Sequence, residues 1–142
     1  MTDPRIVQIA RRTASMAEHV AGALAMAVQD AGSTISAGRL DDGVRRIDEL
    51  LPRVERLVTF AAIAEDLVRP TAPDLARRLG AYARRILEAG DRLAGALDVQ
   101  DFVAVAMTLE LALAPSLAAY GDFADEVVWA LEACGDDHPI AA

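Results

Sequence analysis

Apolar residues recur along this chain in alternating steps of three and four, the spacing of one helical face, over four separate stretches. The first stripe runs Ile6, Ile9, Thr13, Met16, Val20, Leu24, Ala27, Ala31 and Ile35, behind Asp3 as a cap and Pro4 at the first helical position. It passes Gly32 without losing step, which predicts one long helix ending at Gly38. The second stripe is Val44, Ile47, Leu51, Val54, Val58, Ala61, Ala64 and Val68, with Asp41 as its expected cap. Pro52 lies inside it, where a missing N–H and a ring clash predict a local kink.

The third stripe, Leu75, Leu79, Tyr82, Ile86, Leu93 and Leu97, follows the breaker RPTAPD, with Thr71 and Asp74 in capping-box positions. The fourth, beyond the turn DVQD, is Phe102, Val105, Leu109, Ala112, Ser116, Tyr120, Phe123, Val127 and Leu131, and it crosses Pro115 and Gly121. Short connections make successive helices antiparallel. The pattern therefore predicts an all-α fold: an antiparallel up-down-up-down four-helix bundle with two long outer helices and kinks near Pro52 and Pro115. Residues 1–134 form its single domain, and residues 135–142 form a frayed tail.

One stretch of the fourth helix, FVAVAMTLELALAPSLAAY from Phe102 to Tyr120, is long enough to cross a bilayer. Its nearest charges are the acids Asp98, Asp101, Asp122 and Asp125, and Glu110 would sit near the bilayer centre at a cost of about 3 kcal/mol. That argues against a membrane span and for a core helix with more apolar surface than one bundle needs. Phe102, Val105 and Leu109 face inward, so Val103, Met107 and Leu111 need cover from another helix or from a second subunit. This surplus predicts a homodimer.

Glu110 itself needs a partner if it is buried. Counting back from the Asp98 turn places Arg85 at its level, with Arg56 and His19 next in line, so the expected arrangement is an ion pair of Glu110 with Arg85 or Arg56. A ligand-binding role for the same node is the alternative. A general-base role would require a substrate pocket as well.

Charge sharpens this picture. All fourteen basic residues are arginine and fall in residues 1–92 beside thirteen acids, whereas residues 93–142 hold nine acids and no base. A net charge of −8 argues against nonspecific nucleic-acid binding and for a basic partner. Phe123, Val128 and Trp129, rimmed by Asp122, Asp125 and Glu126, read first as ordinary core at the bundle end; as an exposed patch they would suit a basic amphipathic helix. Thirty alanines against six aromatic residues let helices approach closely while each buries little area. One cysteine, Cys134, allows no intrachain disulfide, and the N-terminal stretch lacks the apolar run of a signal peptide, so the expected location is cytoplasmic.

Complete catalytic or metal-binding sets are missing from the pattern. His19 and His138 lack a Glu three residues before them, as di-metal bundles require, and adjacent Glu18 and His19 point to different faces. Cys134, Asp136, Asp137 and His138 cluster on the tail without the second ligand pair of a structural zinc site, and no orienting group supports a thiol nucleophile. No glycine-rich phosphate loop follows a strand. No metal and no cofactor is expected. The arginine doublets Arg77-Arg78 and Arg84-Arg85, interleaved by Asp74, Glu88 and Asp91, read as a solvated, internally paired face that can also meet the acidic fourth helix.

The run Asp101, Phe102, Val103, Ala106, Leu109, Glu110, Leu113, Pro115, Leu117 and Tyr120 resembles a segment of small all-helical bacterial proteins of unknown function; Gly38, Leu51 and Pro52 are loosely similar as well. Met107 and Ala112 stand where that resemblance implies further acids, which leaves Glu110 by itself. The resemblance implies a helical bundle and no activity. Together these readings predict a non-enzymatic bundle acting through protein contacts, an adaptor or small chaperone-like module. The alternative is a module binding a small apolar or anionic ligand between the helices near Glu110.

Overall fold

In a computed structural model, which describes residues 3–136, the chain is all-α. Three long helices come first: α1 (Pro4–Ser36), α2 (Leu40–Val68) and α3 (Pro73–Asp98). The fourth stretch is segmented into α4 (Phe102–Thr108), a π turn (Leu109–Leu113), α5 (Ala114–Ala118), a 3-10 turn (Ala119–Asp122) and α6 (Ala124–Asp136). α1 packs against α2 and against every segment of this fourth stretch, α2 against α3 and α6, and α3 against α4 and α5.

The helix boundaries have local causes. Asp3 accepts the Arg5 N–H and Pro4 opens α1, as the sequence predicts. The chain leaves α1 through Gly38, whose φ of +84° is the left-handed conformation glycine adopts without strain. Asp101 caps α4 by accepting the Ala104 N–H. Two expected caps are not made: α2 begins at Leu40 with no side-chain cap, and α3 begins at Pro73 behind Ala72. α2 runs through Pro52 unbroken, because Pro52 lies on the exposed face, where water reaches a carbonyl left without an N–H.

The fourth stretch departs most from the expected continuous helix. Proline has no N–H and crowds the preceding turn. Immediately before Pro115 the backbone widens, and the Ala114 N–H donates to Leu109 O, five residues back. That extra residue moves the buried face from the expected Ala112 and Ser116 to Leu113 and Leu117. Tighter winding from Ala119 to Asp122 then returns the phase, and Tyr120, Phe123, Val127 and Leu131 are buried as the stripe requires.

α1 also turns differently from expectation. Ile6, Ile9, Met16 and Val20 are exposed, and the buried face is Ala10, Ala14, Ala17, Ala21, Leu24, Ala25 and Val28. Alanines win because the space is filled from the other side. Tyr120 lies edge-on to Tyr82 and Phe123, with centroids 5.6 and 5.3 Å away, and 6.4 Å from Phe60. Tyr82 donates to Leu117 O at 2.9 Å, whereas the buried Tyr120 hydroxyl has no partner among the described residues. Burial pushes both phenols well above their ordinary range, Tyr120 further helped by the charge of Glu18.

Polar contacts tie the acidic end to the basic half. Arg11 donates to Leu131 O at 3.0 Å and to Glu132 O at 2.6 Å, satisfying carbonyls near the end of α6. Arg78 reaches Glu126 at 2.5 Å and also approaches Asp74, so the arginine row of α3 meets both its own acids and α6. Arg46 pairs with Asp30 and Asp42, clamping α2 to α1.

Candidate functional site

Glu110 lies at the start of the π turn, half-buried, and faces α1 rather than α3. Its methylenes sit over Gly32: a Cβ there would lie 2.6 Å from Glu110 Cγ and 3.2 Å from its Oε1. Ser33 Oγ lies 3.4 Å from that oxygen and 3.2 Å from Gln29 O, so its one proton is shared between the two acceptors. Among the described residues Glu110 makes no ion pair. Arg85 is exposed on α3 and Arg56 lies on the far side of α1, so the expected pairing is replaced by a glycine notch and a hydroxyl.

The sequence carried a signal for this arrangement in Gly32. A glycine inside a helix costs about 1 kcal/mol relative to alanine and, where it persists, marks a close approach. The expected level of Glu110 assumed regular α-helical rise and direction. Glu110 directly follows the buried Leu109 and lies over Gly32 of α1, a direction the level count along α3 does not contain.

Beside this notch, Met26, Gln29, Asp30 and Ser33 of α1 and Ala114, Pro115 and Ala118 of α5 border an open, shallow depression of about 650 Å³. Glu110 does not line it, and its breadth gives a small molecule few surrounding atoms. Near Pro52, the enclosure is deeper. A half-open groove of about 420 Å³ runs between α1 and α2. Leu24, Leu50, Leu57 and Phe60 form its apolar floor, Met16 and Val20 one wall, and His19, Arg53 and Arg56 are its basic lining residues. Neither arginine makes a salt bridge among the described residues, although Glu49 stands four residues before Arg53.

The interface candidates divide. Val103, Met107 and Leu111 are 73%, 53% and 69% exposed, one row in steps of four, so the described residues leave most of their surface uncovered. Trp129 is 79% exposed near Glu126. Phe123 is not a surface residue: it belongs to the aromatic core, 5.6 Å from Tyr82. Leu87 of α3 and Val99 of the following turn are also exposed.

No cluster of three potential metal ligands occurs among the described residues. Cys134 donates weakly to Leu67 O at 3.3 Å, which ties α6 to α2, while Asp137 and His138 of the expected ligand-rich tail lie outside the described residues. Phe102–Asp122 is long and apolar enough to cross a membrane, and a third of its most apolar window is buried against the rest of the chain. Comparison with family models, with curated proteins and with solved structures returns no match.

Proposed function

We propose that this chain is an up-down-up-down four-helix bundle that works in the cytoplasm through protein contacts, as an adaptor or small chaperone-like module, and that it is a homodimer. The observation carrying this reading is the row Val103, Met107 and Leu111, more than half exposed along α4 and the π turn. Three large apolar side chains aligned on one face form a contiguous strip of the kind that marks an interaction surface. Connections of three to four residues between the long helices support the antiparallel arrangement.

A self-complementary strip suits a twofold contact, in which the same row meets itself. Trp129 and its neighbouring acids offer a second surface, suited to a basic amphipathic helix.

Sedimentation equilibrium tests the self-association. The unaltered chain is expected to sediment at twice its 15.1 kDa mass at micromolar concentration. Met107→Glu is expected to sediment as a monomer with unchanged helix content, because it places a charge at the centre of the strip. A monomeric unaltered chain at all accessible concentrations removes the homodimer reading.

A further inference from the structure

We propose that the groove between α1 and α2 binds a single long-chain acyl carboxylate, its alkyl tail along the apolar floor and its head group at Arg53 and Arg56. The site differs from the self-association strip in both location and chemistry, and it stands whether or not the chain dimerises.

Shape comes first. The lining extends along α1 from Thr13 to Ala27, about 21 Å at 1.5 Å per residue. A volume of about 420 Å³ along that length is elongated, the form that suits an extended chain rather than a compact ligand. The volume also falls within the range of about 300–1,000 Å³ common to small-ligand sites.

The chemistry is two-sided. Leu24, Leu50, Leu57 and Phe60 present a hydrocarbon floor, while Met16 and Val20 remain 58% and 41% exposed on the wall, leaving apolar surface for a tail to cover. Arg53 and Arg56 are three residues apart on α2, both line the groove, and both are free of ion pairs among the described residues. Their guanidinium groups can receive a carboxylate with paired hydrogen bonds. No acidic side chain lines the groove.

These features also argue against the other occupants. A second copy docking through the same groove would bring two sets of Arg53 and Arg56 together, an unfavourable juxtaposition. An extended anionic bilayer would be repelled by a chain of net charge −8.

The test uses the full chain and a fluorescent polyene fatty acid as probe, displaced by palmitate, methyl palmitate or hexadecanol. The expected result is saturable binding, with palmitate displacing the probe at about a tenfold lower concentration than either uncharged analogue. The doubly charge-reversed variant R53E/R56E is expected to lose that preference while keeping its helix content and sedimentation mass. Ala27→Phe, which fills part of the groove, is expected to weaken all three ligands alike. Equal displacement by acid, ester and alcohol overturns the proposal, as does unchanged palmitate binding in R53E/R56E. Association with phosphatidylglycerol vesicles without binding of monomeric acid overturns it too, assigning the apolar and basic surface to a bilayer. A change of sedimentation mass in R53E/R56E overturns it in favour of a contact between copies.

Discussion

Tyr120→Ala is expected to lower stability by about 3–5 kcal/mol, the loss typical of emptying a large aromatic from a packed interior. Tyr120 is fully buried and touches the rings of Phe60, Tyr82 and Phe123, where the interior otherwise consists largely of alanine and leucine. The alanine face of α1 cannot expand to refill the space. Tyr120→Phe should behave oppositely. Its hydroxyl is buried without a partner among the described residues, so removing it abolishes a desolvation penalty and leaves stability unchanged or raised by about 1 kcal/mol. Tyr82→Phe, which breaks the bond to Leu117 O, should cost about 1 kcal/mol. Urea midpoints at constant m-value check all three. A clear loss on Tyr120→Phe would show that the hydroxyl has a partner after all.

Gly43→Val is the second large effect, a loss of about 3 kcal/mol from overpacking. A Cβ at Gly43 would lie 2.6 Å from Ile35 Cγ1 and nearer still to Cδ1, with the Ile35 backbone nitrogen at 3.4 Å limiting retreat. Both residues are buried where α1 turns into α2. Gly90→Ala provides the contrast. Nothing lies within 4 Å of its added methyl, so only helix propensity acts, and stability should rise by about 0.5–1 kcal/mol. Thermal midpoints moving in opposite directions would support this account; a Gly43→Val protein as stable as the parent would contradict it.

These two cases also explain how far the sequence could be read. Stripes of branched and aromatic residues located four helical stretches, and in α3 the residues Leu75, Leu79, Tyr82, Ile86 and Leu93 are buried as spaced. In α1 two stripes of nearly the same step compete, one rich in Ile, Met and Val and one in alanine. Side-chain size favours the first. The packed structure selects the second, because α1 packs against α2 and every segment of the fourth stretch, and small side chains let those helices approach closely. Such a choice depends on partners that local periodicity does not contain.

The candidate site was legible in part for the same reason. The exposure of Val103, Met107 and Leu111 follows from their spacing alone. The surroundings of Glu110 do not, since they depend on a π turn and on a missing side chain at Gly32. The groove is hidden in a different way: Met16 and Val20 of its wall lie on the stripe that predicts core, and the ligand site that the sequence offers as an alternative is placed near Glu110, which does not line it.

Pro115 and Gly121 together hold the orientation of a surface several turns away. Wide winding before Pro115 and tight winding around Gly121 are opposite errors that cancel by Ala124. If only one were removed, everything beyond it would rotate by roughly 100° about the helix axis. Val127 and Leu131 would swing away from α1, and the ring of acids formed by Asp125 and Glu126 would turn with them. The direction in which the acidic end presents Trp129 is therefore set by two compensating irregularities, neither of which touches it.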